Sequence, residues 1–208
     1  MPMLIDHLVY ATSDVEQSIN ELETRLGIRA SLGGQHAGKG TRNALLALGP
    51  CTYLEIVGPD HAQPAPASPR WFNIDTITAP GLVTWAAHGS ALAQLAESAT
   101  HSDVHIGDVL DGNRTRPDGV QLHWQYTNPI AMLADGLVPF FIDWGLSPHP
   151  AAQAAQGLTL AELRAEHASP DSVLRMLDVL NVVIPVKKSS ASALCAIIDG
   201  PKGRIELR

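Results

Sequence analysis

Short apolar runs alternate with polar stretches over the first sixty residues, a pattern typical of strands that contribute to a core. Residues 5–11, 29–32, 44–48 and 52–57 each predict a strand. Residues 15–26 instead carry apolar positions at helical spacing, with cap-forming residues before them and a glycine after them. The predicted order is therefore strand, helix, strand, strand, strand.

The same order recurs twice further along the chain. A second unit has predicted strands at residues 82–87, 104–109, 120–126 and 138–144, a helix that begins after Ser90 and a polar loop at residues 111–119. A weaker third unit has predicted strands at residues 158–166, 182–186, 194–198 and 204–207 and a helix that begins at Pro170. We predict an α+β protein of repeated βαβββ modules. Two modules, at about 1–60 and 78–145, form a domain of residues 1–150, and the third module occupies residues 151–208.

Composition narrows the class of protein. The chain has 208 residues, of which 45% are hydrophobic and 17% charged, which suits a compact globular protein. The net charge of −7 is spread without blocks of like charge, so we expect no nucleic-acid partner and no polybasic membrane patch. No apolar run reaches membrane-spanning length, and the N-terminus lacks signal-peptide features. Cys51 and Cys195 are expected to be free buried thiols, and we predict a cytoplasmic protein.

Two ionisable residues interrupt predicted core strands. His7 lies in the first strand and Glu55 in the strand at residues 52–57. A buried ionisable side chain is costly unless it is paired, hydrogen-bonded or bound to a metal. The two residues therefore predict one polar spot inside an apolar cup. They would serve as metal ligands or as an acid and base pair, or alternatively form a buried hydrogen bond.

Several motifs, taken in order, resemble the vicinal oxygen chelate superfamily, which includes glyoxalases, bleomycin resistance proteins and dihydroxybiphenyl dioxygenases. More narrowly, the chain is similar to its glyoxalase-like domain proteins over residues 1 to about 150. The resemblance implies two modules that form a curved mixed sheet around a cup. The motifs are Ile5-Asp6-His7-Leu8-Val9-Tyr10, His36 with Gly40-Thr41-Arg42-Asn43, Tyr53-Leu54-Glu55-Ile56, Arg116-Pro117-Asp118-Gly119 and Pro139-Phe140-Phe141-Ile142-Asp143-Trp144.

The resemblance also implies a divalent metal, with ligands on the first and fourth strands of each module. His7 and Glu55 match the positions in the first module. The second module departs from the pattern, because the alignment places Leu82 and Phe141 opposite them. Asp143 shares its facing with Phe141 and is the candidate third ligand. The expected cofactor is Fe, Mn, Ni or Zn, or none.

Other candidate residues surround this site. Glu55 and His123 are the predicted catalytic acid–base groups. His123 lies on the polar face of the strand at residues 120–126, and alternation alone leaves open whether that face lines the cup or meets solvent. The glycine-rich segment 33–43 is predicted as a loop over the cup. The predicted substrate-binding residues are Arg42, Asn43, Trp85, Phe141 and Trp144.

Two functions are open at this point. The first is an enzyme that binds a small oxygen-bearing metabolite, with the superfamily implying a metal-dependent lyase, isomerase or dioxygenase. The alternative is a metal-free protein that binds or sequesters a small molecule against aromatic walls. In either case we expect a small-molecule ligand and a homodimer.

Overall fold

The computed structural model describes residues 3–116 and 118–208, so Met1, Pro2 and Pro117 of the predicted motif lie outside the described residues. The three α-helices are α1 (Val15–Leu26), α2 (Leu92–His101) and α3 (Pro170–Val179). Within the described ranges, no helix combines the length and apolar character needed to cross a membrane. The strands are β1 (Ile5–Ala11), β2 (Ser31–His36), β3 (Thr41–Gly49), β4 (Thr52–Pro59), β5 (Gly81–His88), β6 (Val109–Thr115), β7 (Gln121–Thr127), β8 (Phe140–Asp143), β9 (Thr159–His167), β10 (Val186–Lys188), β11 (Ala193–Gly200) and β12 (Gly203–Leu207).

Eight strands close into a barrel in the order β1-β4-β3-β2-β6-β7-β8-β5. Each of the first two modules contributes four neighbouring strands. Within a module the first and fourth strands pair in parallel, as in β1 with β4 and β5 with β8. Antiparallel pairing of β1 with β5 and a contact between β2 and β6 join the modules. The predicted fold class, with strands curved around a cup, is confirmed.

The alternation of side chains along each strand separates two buried regions. Leu8 and Tyr10 point outward from the barrel and pack with α1 and the other helices. Val9 and Ala11, on the opposite face of the same strand, point into the barrel. Almost every position of β1 is buried because both faces are covered. A residue on the inner face of these strands therefore enters the barrel interior.

The last three-stranded unit and its helix form a separate sheet in the order β10-β9-β11-β12. The element order matches the earlier modules, but here the first strand, β9, pairs in parallel with the second, β10. This sheet packs on the barrel, since Leu163, Val173 and Leu194 belong to the same buried cluster as Leu8. The backbone N–H of Leu82 in β5 also donates to the carbonyl of Arg208, at 2.9 Å.

Two strands differ from their predicted positions. β2 extends to His36, into the segment predicted as a glycine-rich loop, and β6 begins at Val109, where the predicted strand ended. Neither segment is strongly apolar, so the hydrophobic pattern did not indicate them. Both become strands because they pair with apolar neighbours, β2 with β3 and β6 with β7.

The two cysteines are free but lie in different environments. Cys195 is buried in β11, as predicted. Cys51 is exposed, which corrects the prediction of two buried thiols. The reason is its place in the tight turn between β3 and β4, where the chain reverses at the surface.

A close approach of α1 to β4 generates a first prediction. A Cβ atom at Gly58 would lie 2.6 Å from the carbonyl oxygen of Thr12 and 2.9 Å from Val15 Cγ2. Gly58→Ala is therefore expected to destabilise the fold by about 1–3 kcal/mol in equilibrium urea unfolding. Gly49→Ala is the control, since its nearest neighbouring atom would lie 3.9 Å away. Equal effects of the two substitutions would contradict this packing.

Candidate functional site

A small cavity inside the barrel brings together polar and aromatic side chains from both modules. Its volume is about 40 Å³, which is room for a few water molecules. A metabolite-sized ligand therefore requires aromatic side chains at the cavity to move. The polar lining residues are His7, His36, Asn43, Glu55 and Arg114. The aromatic lining residues are Tyr53, Trp71, Phe72, Trp124, Tyr126, Phe140 and Trp144.

The carboxylate of Glu55 is the centre of the polar group. Glu55 is buried, and its Oε1 accepts a hydrogen bond of 2.5 Å from Asn43 Nδ2. His36 Nε2 lies 3.7 Å from the same oxygen, and His7 Nε2 lies 3.8 Å from Oε2. The parallel pairing of β1 with β4 aligns His7 with Tyr53, two residues before Glu55, so both site residues face the barrel interior. Glu55 therefore has one oxygen fixed by Asn43 and the other facing an imidazole.

Asp6 holds His7 from behind. Its Oδ1 lies 2.8 Å from His7 Nδ1, while its Oδ2 accepts a hydrogen bond from Trp144 Nε1 at 3.0 Å. Oδ2 also lies 3.2 Å from His149 Nε2 and 3.4 Å from His88 Nδ1. Burial raises the pKa of Asp6, but the hydrogen bonds from His149, His7 and His88 outweigh it and hold the pKa well below its usual range. An ionised carboxylate only accepts, so His7 carries its proton on Nδ1 and turns Nε2 toward Glu55.

His36 and Tyr53 are kept neutral by burial. Burial lowers the pKa of His36 to about 4; Glu55 opposes this shift, and Arg114, His7 and Lys39 add to it. His36 Nδ1 lies 3.0 Å from the hydroxyl of Thr41. Burial, together with the charges of Asp6 and Glu55, raises the pKa of Tyr53 well above its usual value, and its ring stacks on His7 at 4.7 Å between centroids.

Four of the residues predicted for the site do meet in the cavity: His7, Glu55, Asn43 and Trp144. Arg42 is adjacent to Asn43 in β3 and therefore faces the other way. Its Nη1 lies 3.4 Å from Glu16 of α1, and it does not line the cavity.

Trp85 and Phe141 are fully buried, but on the helix side of the barrel wall. Trp85 Nε1 donates to the carbonyl of Leu137 there, at 2.9 Å. The pairing of β5 with β8 places Phe140 opposite Ala86, so Phe140 and Ile142 face the cavity. The sequence alignment was one residue out of register, and one residue reverses the facing of every side chain on a strand.

His123 is exposed on the outer face of β7, while Trp124 and Tyr126 line the cavity. Of the two arrangements left open by the sequence, the aromatic face is thus the inner one. Asp143 is half-buried at the end of β8, and its Oδ1 accepts a hydrogen bond from the backbone N–H of Gly145 at 2.9 Å. The structure brings neither His123 nor Asp143 to the cavity.

Sequence reasoning missed several residues of the site. Arg114 lies in a segment predicted as a polar loop, and His36 in one predicted as a glycine-rich loop. His149 was expected at the surface but contacts Asp6. Trp71 and Phe72, which begin a short helix of residues Trp71–Thr76, follow the predicted linker. The available signal was polar residues at alternate positions, Asn43 in β3 and Arg114 in β6, which is the pattern of an inner face.

The predicted metal set does not fit these positions. Among residues 3–116 and 118–208, no group of three His, Cys, Asp or Glu side chains is placed to hold a metal ion. The reason is visible in the second module, where Ala86 pairs with His7 and Ile142 lies two residues beyond Phe140, as Glu55 lies two beyond Tyr53. Apolar side chains thus occupy the positions that further ligands would need.

Comparison with known families agrees with this arrangement. The sequence profile of the glyoxalase-like domain matches residues 5–180. The chain belongs to the glyoxalase-like domain family. This places it in the vicinal oxygen chelate superfamily, as its motifs indicated. The match extends beyond the barrel through α3, so the third unit is partly included in the family's domain. No curated protein matches the chain significantly.

Solved structures share the fold of this glyoxalase-like protein. A hypothetical protein from Staphylococcus aureus superposes with a TM-score of 0.66 at 11% identity, covering 91% of this chain and 88% of that one. A mutant of 4-hydroxymandelate synthase from Streptomyces coelicolor gives 0.52 at 13% identity, covering 99% of this chain and 62% of that one. Methylmalonyl-CoA epimerase from Mycobacterium tuberculosis gives 0.45 at 20% identity, covering 71% and 91%. At these identities the likeness concerns the fold alone.

The Asp6 contacts generate a prediction about stability. Asp6→Asn leaves one acceptor oxygen where the carboxylate had two, so a buried donor on His7, Trp144 or His149 loses its partner. We expect a loss of about 1–3 kcal/mol in urea unfolding at pH 7. Asp143→Asn is the matched control, because that side chain is less buried and accepts from one backbone N–H. A loss no larger than the control's would contradict the role given to Asp6.

The neutral state of His36 generates a prediction about pH. Its folded pKa of about 4 lies below the unfolded value of 6.5. The unfolded state therefore binds more protons between these values, and acidification through this range removes up to about 3 kcal/mol of stability. His36→Gln is expected to lose less stability than wild type between pH 7 and pH 5, measured by urea unfolding. Asp6 does not affect this window, because it is ionised in both states there. Parallel pH curves for the two proteins would contradict the assignment.

Proposed function

We propose that this protein is a small-molecule enzyme that moves a proton at a carbon next to a carbonyl oxygen, as an isomerase or lyase does. The observation that carries the proposal is the position of Glu55. One of its oxygens is fixed by Asn43 at 2.5 Å, and the other faces His7 Nε2 at 3.8 Å. Buried titratable groups that converge in an aromatic cavity are typical of catalytic sites.

In this proposal Glu55 is the base. Its Oε2 takes the proton from the substrate carbon, the C–H bond breaks, and the electron pair moves toward the carbonyl oxygen to give an enolate. His7, oriented by Asp6, exchanges a proton with that oxygen through Nε2. The proton on Glu55 Oε2 then returns to carbon. A return to the opposite face epimerises the carbon, a return to the neighbouring carbon isomerises the substrate, and loss of a group from the enolate gives a lyase.

The walls of the cavity support proton transfer in two ways. Aromatic side chains exclude water, and the low local dielectric strengthens the interaction of a forming enolate with nearby positive charge. Arg114 is the buried cation on this wall, and burial lowers its pKa without removing its charge. These properties favour formation of an enolate inside the barrel.

A substrate-independent exchange assay tests the proposal. Small carbonyl compounds are incubated with protein in D₂O, and deuterium incorporation at the carbon next to the carbonyl is followed by NMR. Wild type is expected to accelerate exchange for at least one compound, and Glu55→Gln is expected to lower that rate about 10²–10⁴-fold. His123→Gln, on the outer face, is the control and retains the rate. Exchange that survives in Glu55→Gln would overturn the role of Glu55.

The second candidate is a protein that binds a small molecule without reaction. The aromatic wall favours it, since Trp71, Trp124 and Trp144 all line the cavity and can stack on a flat ligand. A ligand that quenches tryptophan fluorescence, but shows no exchange with wild type across the panel, would support binding over catalysis.

The predicted divalent metal is the competing proposal for the enzyme. Elemental analysis of protein purified without chelator separates the two. Stoichiometric Fe, Mn, Ni or Zn that is lost in His7→Ala would support a metal enzyme. We expect instead that the exchange rate of wild type is unchanged after treatment with a chelator.

The homodimer and the cytoplasmic location predicted from the sequence remain proposals. Light scattering during gel filtration tests the first, with a mass twice that of the chain as the expected result. A mass equal to that of one chain would contradict it.

A further inference from the structure

Arg114 is an unusual residue for the wall of a barrel. It is only 4% exposed and lies on β6, opposite Leu122 of β7. A buried guanidinium is costly unless an anion or several acceptors satisfy its five donors. Across residues 3–116 and 118–208, no carboxylate oxygen lies within 4.0 Å of it. Its hydrogen bond is to Asn43 Oδ1, at a long 3.4 Å. The protein has therefore buried a cation without giving it a full partner.

The chain makes space for this guanidinium. A Cβ atom at Gly33 would lie 2.7 Å from Arg114 Nη1 and 2.1 Å from Asn43 Oδ1. Strand β2 thus presents bare backbone where the guanidinium and the amide meet. The same arginine lines the catalytic cavity and a neighbouring one, so its remaining donors face open space. A site kept clear in this way holds its cation for a ligand.

Asn43 relates this cation to the proposed base. Its Nδ2 donates to Glu55 Oε1 at 2.5 Å, and its Oδ1 accepts from Arg114 at 3.4 Å. Glu55 and Arg114 therefore lie on the two sides of a single amide group. A substrate with its reacting carbon at Glu55 meets Arg114 with a group only a few bonds away. A carboxylate suits that position, because the planar fork of Arg binds it through two parallel hydrogen bonds.

We propose that the cavity takes a small carbonyl compound bearing a carboxylate, a 2-oxo acid or a close analogue, with the carboxylate bound by Arg114. This inference rests on the proposed function for the position of the reacting carbon. The anionic ligand neutralises the buried cation, and its carbonyl group lies between Arg114 and Glu55.

Matched acids and amides test the proposal by binding alone. The probes are 2-oxo acids of three to six carbons and their neutral amides, titrated by calorimetry or NMR. Wild type is expected to bind at least one acid about tenfold or more tightly than its amide. Arg114→Met is expected to remove that preference by weakening the acid and leaving the amide within about twofold, and Arg114→Lys to restore part of it. Arg42→Met, on the outer face, retains the preference.

Two results would overturn the inference: no acid binds more tightly than its amide, or the preference survives in Arg114→Met. Thermal unfolding of each variant confirms that it is folded before it is titrated. Deuterium exchange in the same samples separates the two proposals. An acid preference without exchange contradicts the proton-transfer function and leaves carboxylate recognition by Arg114 standing, whereas exchange without an acid preference does the reverse.

Discussion

A carboxylate buried in a protein stays ionised only when donors surround it, and Asp6 meets that constraint with side chains from distant parts of the chain. His7 follows it in β1, His88 ends β5, and Trp144 and His149 follow β8. The first strand is thereby tied to the end of the second module. The same contacts fix the orientation of His7, so closure of the barrel and arrangement of the site depend on one ion.

Inside the barrel, a second chain of polar contacts runs from His7 past Glu55 and Asn43 to Arg114. It crosses the wall from β1 through β4 and β3 to β6 and so joins the two modules. Each member except Arg114 has a close partner within the protein. The structure thus concentrates its unsatisfied hydrogen-bonding capacity at one buried cation beside a carboxylate, which is an arrangement suited to a ligand rather than to stability.

The sequence predicted the fold and part of the site, and the reasons for the difference are physical. His7 and Glu55 were found because a charge in an apolar strand needs an explanation. Phe141 was misplaced because period-two alternation defines two faces without saying which is inner. Arg114 was missed because β6 is polar and becomes a strand only through its neighbours. His149 contacts Asp6 because the chain folds back after β8, which no local pattern predicts.

The central claim is that Asp6 fixes the tautomer of His7 and directs Nε2 toward Glu55 inside the barrel. Nitrogen-15 NMR of labelled protein measures this directly, at a pH where the imidazole is neutral. The account predicts that His7 carries its proton on Nδ1, with Nε2 unprotonated, and that this preference is lost in Asp6→Asn. A neutral His7 protonated on Nε2 in the wild-type protein would contradict it.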